Sequence, residues 1–264
     1  MALRVGLVGA GGRMGRLLAA AVLDSDDLDL ILSTEHQDHP MLGRDVGLVA
    51  GVGACGRPIE SLESGMHAAV DVFLDFSLPA GTARLLELGG ARPLVVGTTG
   101  LNAEQTAALR AYALTAPVVA APNFSTGVTL LTELVQLAAR VLAGYDAEII
   151  EAHHRHKRDA PSGTALALAR ALADARRVSL DDKACYGREG AVGERPAGEI
   201  GIHAVRAGDI VGEHTVMLAG LGERVELRHV ATSRQAFVSG AVRAVRWVRG
   251  RPPGLYGMRD VLGL

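Results

Sequence analysis

The 264-residue chain has few aromatic residues, only two cysteines and a formal net charge of −2 at pH 7. A protein that binds nucleic acid through its phosphates usually has a large excess of basic residues, so the near-neutral charge argues against a nucleic-acid partner. Cys55 and Cys185 lie far apart, without Cys-x-x-Cys spacing. We therefore expect them to be free thiols in the reducing cytoplasm.

A hydrophobic segment typical of a membrane-spanning helix is also missing. Residues 111–132 carry no charge and would be long enough to cross a bilayer, but Pro117, Pro122 and the Asn-Phe-Ser-Thr-Gly run after it interrupt them. These residues favour a strand, a turn and the start of a helix. The N-terminus lacks the long apolar region and the cleavage site of a signal peptide. The sequence thus predicts a soluble, cytoplasmic protein without a membrane partner.

The first half of the chain alternates short apolar runs with helical patterns. Each run has the length and composition of a buried strand. The five runs cover 3–9, 28–33, 71–77, 93–97 and 117–121. Alternation of strand and helix predicts a parallel sheet with helices on both faces, which is the doubly wound, Rossmann-type α/β fold. Ligands of such sheets bind beyond the carboxyl ends of the strands.

The pattern changes near residue 127, where a long helical segment begins. The strand-like runs that follow later are joined by short glycine-containing turns and cover 201–208, 212–220 and 224–231. Neighbouring strands with such turns favour antiparallel pairing. We therefore predict a Rossmann-type domain over 1–126 and a second, α+β domain over 127–234, with 235–264 packing back onto the first domain.

A glycine-rich loop follows the first predicted strand and precedes a helix. Gly9, Gly12 and Gly15 are spaced by three residues, with Gly11 as an additional glycine, and Met14 stands where the dinucleotide fingerprint expects its last glycine. Small residues let the backbone approach a pyrophosphate, which N–H groups and the helix dipole then hold. A tight turn that binds nothing would also use these glycines, so the loop alone leaves both interpretations open.

An acidic residue after the second strand strengthens the dinucleotide hypothesis. Glu35 lies twenty residues beyond Gly15, where an acid commonly binds the adenosine ribose hydroxyls. An ordinary charged loop residue is the alternative. Such an acid favours NAD over the 2′-phosphate of NADP, although Arg13 could pair with that phosphate. The loop and the acid together predict a nicotinamide cofactor, NADH or NADPH or both.

Polar side chains follow the fourth and fifth predicted strands. Thr98 and Thr99 come after the fourth, and Asn123 comes after the fifth. Their hydroxyl and amide groups could hold a nicotinamide carboxamide or a ribose at the ligand edge of the sheet. The same residue types are favoured in turns and helix caps, so the residues alone do not decide between the two.

A segment rich in histidine and basic residues starts at His153. A zinc site would need three or four convergent ligands, and only His154 and His156 would share one face of a strand. A nucleic-acid patch would need stacking aromatics, and a solvated loop with an ordinary helix cap is a further alternative. Histidine exchanges protons near neutral pH, and a helix capped by Ser162 would offer free N–H groups to a carboxylate. The segment predicts proton transfer beside a bound anion, without a metal.

The chain is similar, nearly end to end, to the dihydrodipicolinate reductase (4-hydroxy-tetrahydrodipicolinate reductase) family of the diaminopimelate route to lysine. The similarity includes "GAGGRMGR", "DFSLP", "GTTG", "APNFSTGV", "VRAGDIVGEHTV" and, most specifically, "EIIEAHHRHKRDAPSGTA". The resemblance implies reduction of (2S,4S)-4-hydroxy-2,3,4,5-tetrahydrodipicolinate, a dicarboxylate, by NAD(P)H with loss of water. It also implies that the second domain binds substrate and builds a homotetramer.

The resemblance implies roles for individual residues. His153 would donate or accept a proton, and Lys157 would be a second proton donor. The substrate carboxylates would contact His154, Ser162, Gly163 and Thr164. The cofactor would contact Gly9, Ala10, Gly11, Gly12, Arg13, Met14, Glu35, Gly97, Thr98, Thr99, Ala121, Pro122, Asn123 and Phe124. Arg155 and His156 receive no role.

One position bears on the choice of cofactor. Family members that use NADPH well often have an arginine directly after the acid, whereas this chain has His36. A largely neutral histidine is a poorer partner for a 2′-phosphate than a guanidinium, so we expect NADH to be used at least as well as NADPH.

Two alternative functions are another two-domain dehydrogenase acting on an amino-acid-like imine and a non-catalytic dinucleotide sensor. A sensor would not need a proton donor.

Overall fold

The computed structural model describes residues 2–63 and 66–264, which form two compact units. One unit consists of the chain up to Ser125 together with Phe237–Leu264, and the other is Thr126–Ala236. In the part of the chain that the structure describes, no helix has both the length and the apolar composition needed to cross a membrane. The roles predicted for the two domains, cofactor binding and substrate binding, stay predictions.

The regular elements are the following. The strands are β1 (Leu3–Val8), β2 (Leu28–Glu35), β3 (Glu60–Ser61), β4 (Val72–Asp75), β5 (Leu94–Val96), β6 (Pro117–Ala120), β7 (Asp146–His153), β8 (Ala184–Tyr186), β9 (Ile200–Arg206), β10 (Gly212–Gly220), β11 (Glu223–Ala231) and β12 (Gly254–Tyr256). The helices are α1 (Arg13–Leu23), α2 (Val46–Ala50), α3 (Pro79–Leu88), α4 (Ala103–Tyr112), α5 (Thr126–Val141), α6 (Gly163–Arg176), α7 (Leu180–Lys183), α8 (Gln235–Val248) and α9 (Met258–Leu262), and a 3-10 turn covers Met66–Ala69.

The first unit is built on a seven-stranded sheet in the order β12-β6-β5-β4-β1-β2-β3. All of its strand pairs are parallel. One apolar cluster includes Leu18 of α1 and Val245 of α8, and a second includes Leu85 of α3 and Leu109 of α4. Helices therefore cover both faces, and the predicted doubly wound, Rossmann-type sheet is confirmed.

The five strands predicted for this unit are all present, but two short strands were missed. β3 has two residues and β12 has three, too few for any periodicity to be visible in the sequence. β12 pairs with β6, so the last segment of the chain adds an edge strand to the first unit.

The second unit has a five-stranded mixed sheet in the order β11-β10-β7-β9-β8. Its apolar cluster joins this sheet to two helices through Leu131 and Val135 of α5 and Leu168 and Leu172 of α6. Both helices are amphipathic, with apolar residues at helical spacing toward the sheet. The predicted α+β character of the second domain is confirmed.

The predicted antiparallel pairing is only partly right. β10 and β11 are antiparallel, with His214 opposite His229. However, β9 and β10 do not pair, because β7 lies between them, and β9 runs parallel to β7 with Ile202 beside Ile149. From β7 the chain passes through α6 and α7 to β8 and then to β9, and β8 also pairs parallel with β9. A helical crossover of this kind produces parallel strands. The prediction of antiparallel pairing for β9 is therefore wrong.

Candidate active site

The glycine loop connects β1 to α1 through very close backbone contacts. Gly9 has φ +87°, and a Cβ there would lie 2.8 Å from the carbonyl oxygen of Phe76. A Cβ on Gly15 would lie only 1.9 Å from the Gly9 carbonyl oxygen. Gly15 therefore allows the close helix–strand packing for which the dinucleotide fingerprint uses its last glycine. Met14, at the departure from the fingerprint, packs against the core instead.

Glu35 is the last residue of β2 and lies next to this loop. Its Oε1 accepts a hydrogen bond from the Gly11 N–H at 2.8 Å. A cavity of about 940 Å³ opens beside it, and its lining includes Gly9, His36 and Arg84. The volume is in the range of small-molecule and cofactor sites. The cavity therefore joins the glycine loop to the acid predicted to bind a ribose.

His39 was not found from the sequence, but its ring packs directly on the glycine loop. A Cβ on Gly11 would lie 2.3 Å from His39 Cε1. With Glu35 and His36, His39 forms a group whose ligand atoms lie within 4.8 Å of one another, close enough to hold a metal ion. However, His39 Nδ1 accepts the Met41 N–H at 3.2 Å, so the neutral ring has its proton on Nε2, 4.0 Å from Glu35 Oε1. This geometry favours a role for His39 in orienting the Glu35 carboxylate over a role as a metal ligand.

The ends of β4, β5 and β6 are packed around two aromatic rings. A Cβ on Gly97 would lie 2.3 Å from the Phe76 ring, and the Phe76 and Phe124 ring centroids are 5.3 Å apart. Asn123 Oδ1 accepts the Ser125 N–H at 2.8 Å, as in an ordinary turn. Thr98 is buried. Close packing thus accounts for glycine at position 97 and a turn hydrogen bond accounts for asparagine at position 123, whether or not these residues also contact a cofactor.

The predicted cofactor residues share one location. Residues 9–14, 35, 97–99 and 121–124 follow or end β1, β2, β5 and β6, and because these strands are parallel their carboxyl ends meet at one edge of the sheet. The glycines allow a close approach of a ligand, and the helix dipole of α1 favours a phosphate. The residues fit a nicotinamide dinucleotide, while each individual contact stays a prediction.

His153, the last residue of β7, is paired with a buried carboxylate. Its Nδ1 lies 2.6 Å from Oε2 of Glu151, whose side chain is fully buried. Because side chains alternate along a strand, residues two apart lie on the same face. A carboxylate accepts hydrogen bonds only, so it fixes the proton of a neutral His153 ring on Nδ1. Nε2 is then the nitrogen that can exchange a proton with a ligand.

Arg206 holds the same carboxylate from the neighbouring strand β9. Its two terminal nitrogens each lie 2.8 Å from an oxygen of Glu151, and the Ser162 N–H donates to Glu151 Oε1 at 3.0 Å. Burial acts to raise the pKa of Glu151, but the hydrogen bonds from Arg206, His153 and Ser162 outweigh it and lower the pKa. Glu151 is therefore ionised, and its Oε2 lies 2.6 Å from His153 Nδ1.

Gly212, the first residue of β10, leaves space beside Nε2 of His153. A Cβ on Gly212 would lie 3.1 Å from His153 Nε2. We expect Gly212→Ala to lower kcat between about 10-fold and 100-fold, because the methyl group would displace the imidazole from its productive position. Steady-state kinetics with a thermal melt checks this. Gly144→Ala is the matched control, since a Cβ there meets nothing within 4 Å; equal kcat in Gly212→Ala and wild type would contradict the prediction.

Lys157 follows in the turn after β7. Its Nζ lies 2.9 Å from both carboxylate oxygens of Asp159, and the Lys157 hydrogen bond is the main cause of the lowered pKa of Asp159. Arg206 also donates to the Asp159 carbonyl oxygen at 2.7 Å. The turn that positions Lys157 is thus joined to the network around Glu151. Asp159 was not found from the sequence.

Ser162 caps α6, as predicted. Its Oγ accepts the Ala165 N–H at 3.1 Å, and the next residue, Gly163, starts the helix. A Cβ on Gly163 would have no neighbour within 4 Å, so packing inside the protein does not require glycine there. The first N–H groups of a helix have no partner within the helix and favour an anion. Gly163 and Thr164 lie in this first turn, where a carboxylate could bind.

His154 and His156 do not lie in a strand. β7 ends at His153, so the expected alternation of faces along 153–156 is wrong, because the chain enters a turn in which Lys157 N–H donates to the His154 carbonyl oxygen. The two rings are nevertheless 6.2 Å apart. Arg155 and His156 are exposed and remain without a role.

Family profiles cover nearly the whole chain. The family described as "Dihydrodipicolinate reductase, N-terminus" matches residues 3–124, and "Dihydrodipicolinate reductase, C-terminus" matches residues 127–262. The chain belongs to the dihydrodipicolinate reductase family. The 4-hydroxy-tetrahydrodipicolinate reductases of Alkalilimnicola ehrlichii and Halorhodospira halophila are 51% and 52% identical to it, and each alignment covers all of both chains.

A solved structure has a similar fold over the whole chain. The dipicolinate-bound dihydrodipicolinate reductase from Paenisporosarcina sp. TG-14 has a TM-score of 0.74 and 29% identity, with 98% of this chain and 99% of that chain covered. Amine dehydrogenase from Mycobacterium smegmatis, with a TM-score of 0.59, 15% identity and 96% and 94% coverage, shows the fold alone. Membership of the dihydrodipicolinate reductase family confirms the predicted oxidoreductase activity and NAD(P)H as its cofactor.

Proposed function

We propose that the chain reduces (2S,4S)-4-hydroxy-2,3,4,5-tetrahydrodipicolinate to 2,3,4,5-tetrahydrodipicolinate with loss of water, using His153 and Lys157 for proton transfer. The observation that supports this most strongly is the pairing of His153 with the buried Glu151 beside the start of α6. A titratable group lies there next to the N-terminal turn of a helix, whose dipole favours an anion, and proton transfer on a bound carboxylate compound requires both.

The proposed proton transfer starts from the Glu151–His153 pair. Glu151 keeps the proton of neutral His153 on Nδ1, so Nε2 can take a proton from the substrate or, once charged, return one. Lys157 is the second proposed donor, and its pairing with Asp159 holds the ammonium group in position. The hydroxyl group of the substrate must leave as water, which requires such a proton.

The proposed carboxylate site is the first turn of α6. The N–H groups of Gly163 and Thr164 and the hydroxyl of Ser162 would bind one substrate carboxylate, with the positive end of the helix dipole adding to the attraction. His154 would bind substrate from the turn before α6. A dicarboxylate has two such anionic groups, and Lys157 is a cation available for the other.

The proposed cofactor site is the edge of the first unit's sheet. When bound, the nicotinamide supplies a hydride to the substrate. Glu35 would bind the adenosine ribose hydroxyls, and the residues from Gly9 to Met14 would approach the pyrophosphate. The turns at 97–99 and 121–124 would hold the nicotinamide end. His39, which packs on Gly11, keeps the Glu35 carboxylate oriented.

We propose further that NADH is used at least as well as NADPH. His36 lines the cavity beside Glu35, and it stands directly after this acid in place of a permanently charged arginine. We expect His36→Arg to raise kcat/KM for NADPH by about tenfold or more, because a guanidinium binds a phosphate with two parallel hydrogen bonds. Comparing kcat/KM for the two cofactors checks this, with His156→Arg as the charge-matched control. A strong NADPH preference in the unaltered protein would refute the proposal.

A homotetramer in the cytoplasm is also proposed. The helices α5 and α6 pack on one face of the second unit's sheet, while Ile150, Val205 and Val230 are exposed on strands of that sheet. Packing of these three exposed side chains against other copies of the chain would remove apolar surface from water. Light scattering should give the mass of four chains, and Ile150→Asp should lower it. A monomeric unaltered protein would contradict the tetramer.

The proposed activity is tested by NADH oxidation. The substrate is generated in situ from pyruvate and aspartate semialdehyde, and the absorbance of NADH is followed with purified protein. The proposal expects rapid, protein-dependent oxidation that requires both precursors. Another imine-reducing dehydrogenase would instead be active with amino-acid-like imines, and a sensor would bind NADH without oxidising it. Absence of turnover with the generated substrate would exclude the proposed activity.

A further inference from the structure

His214 lies at the centre of the proposed substrate site, although the sequence did not indicate it. It is only 3% exposed and stands opposite Glu151 on the neighbouring strand. Its ring packs edge-on against the His153 ring, with centroids 5.2 Å apart. Its Nε2 lies 3.1 Å from Ser162 Oγ, while its Nδ1 has no hydrogen-bond partner among the described residues. The described part of the chain thus gives the His214 ring one hydrogen bond, and that bond is with a proposed substrate-binding group.

His214 is a neutral imidazole at physiological pH. Burial is the largest cause that lowers its pKa, His153 lowers it further, and together they outweigh Glu151 and bring the pKa to about 4. A neutral imidazole has one ring proton, on Nδ1 or on Nε2. The hydrogen bond between His214 and Ser162 can therefore run in only one of two directions, and the position of this proton decides which.

The surroundings of the two groups distinguish these directions. If Ser162 donated its hydroxyl hydrogen to Nε2, the ring proton would lie on Nδ1, which would be a buried N–H without an acceptor. Orphaned buried N–H groups are rarer than under-satisfied acceptors. If Nε2–H donates to Ser162 Oγ, the only unpaired buried group of the ring is the Nδ1 lone pair. The second arrangement leaves no donor of His214 unpaired, and the hydroxyl hydrogen of Ser162 gains its acceptor when an anionic oxygen of a ligand binds.

We infer that His214 donates its Nε2 hydrogen to Ser162 Oγ and thereby reserves the serine hydroxyl hydrogen for an anionic oxygen of the substrate. Ser162 Oγ also accepts the Ala165 N–H, so both of its lone pairs are used within the protein. The hydroxyl can then only donate to a ligand. A carboxylate only accepts hydrogen bonds, so a serine hydroxyl that can only donate matches a carboxylate oxygen of the substrate.

His214 is a positioning residue that acts through Ser162, and the inference rests on the proposed role of Ser162 in substrate binding. The position of the ring proton is a direct readout that a packing role would not determine. Nitrogen-15 NMR of protein with labelled histidine distinguishes a protonated from an unprotonated ring nitrogen, and His214→Gln assigns the signal. We expect a protonated Nε2 and an unprotonated Nδ1 in the dipicolinate complex. A proton on Nδ1 in the dipicolinate complex would overturn the inference.

Binding measurements test the coupling to Ser162. His214→Leu should raise the Kd of dipicolinate about 3- to 10-fold, and His214→Gln, whose amide can donate, should recover part of this loss. In a Ser162→Ala background, His214→Leu should have little further effect. An equal effect of His214→Leu in both backgrounds would overturn the inference while the carboxylate site stands. Unchanged Kd in Ser162→Ala alone would contradict the proposed site and the inference with it.

Discussion

Replacing His153 with glutamine should lower kcat between about 10²-fold and 10⁴-fold, the usual contribution of a positioned general acid or base. KM for the substrate should rise much less, because the proposed carboxylate contacts come from the start of α6 and do not involve His153. Steady-state kinetics at saturating NADH gives both constants. The effect is expected to be largest in kcat because the proton is transferred in the chemical step.

His156→Gln is the matched control for this substitution. It makes the same chemical change three residues along the chain, at an exposed side chain without an assigned role, and should leave kcat near that of the unaltered protein. If His153→Gln retained the kcat of the unaltered protein, His153 would have no part in proton transfer. The proposed role of His153 would then have to be given up.

Replacing Glu151 with glutamine should have the second large effect, on both activity and stability. An amide can donate to His153 Nδ1 and so favour the wrong tautomer, and the comparable change in serine proteases costs about 10⁴-fold in kcat. We therefore expect kcat to fall between about 10²-fold and 10⁴-fold. The free energy of unfolding should fall by about 3 kcal/mol, because Arg206 loses the carboxylate that compensates its charge. Kinetics and urea titration measure the two effects.

The stability effect should depend on pH. The pKa of Glu151 in the folded protein is lowered from the usual 4.5, so its contribution to stability is fully present above about pH 5 and is lost as the pH falls through the folded pKa. The stability difference between the unaltered protein and Glu151→Gln should therefore shrink on acidification. A difference that grows below pH 4.5 would show that the carboxylate is not held ionised as described.

Glu148→Gln is the control for the loss of a carboxylate from β7. Glu148 pairs with Arg188 and Arg195 and, although burial opposes it, these contacts and His203 lower its pKa to about 2. Its removal should also reduce stability at neutral pH, but it has no contact with His153. We expect kcat of Glu148→Gln to stay near that of the unaltered protein. A loss of kcat equal to that of Glu151→Gln would indicate a general effect of instability.

The local patterns of the sequence predicted the first unit well. Each strand of the parallel sheet longer than three residues has an apolar run of its own, and the glycine spacing has a visible cause in the contact between Gly15 and Gly9. β5 has only three residues, but all three are apolar, so it was also found. β12 was missed because its three residues follow two prolines in a segment without periodicity.

The second unit was harder to predict because its site is assembled from distant strands. Glu151 could have been found, since it lies two residues before His153 on the same strand face. Arg206 is 55 residues away from Glu151, and His214 is 52 residues away from Ser162. No local spacing joins such residues. These residues come together because β7 pairs with both β9 and β10. The glycine-containing turns in the sequence had instead indicated that β9 and β10 pair with each other.

The central claim is that Glu151 acts on the reaction through His153. A double-mutant cycle tests it most directly, with kcat measured for the unaltered protein, His153→Gln, Glu151→Gln and the double variant under one set of conditions. The account predicts that the double variant is about as slow as His153→Gln alone, because Glu151 has nothing left to orient. If the two losses multiplied in full, Glu151 and His153 would act independently, and the proposed proton-transfer pair would be wrong.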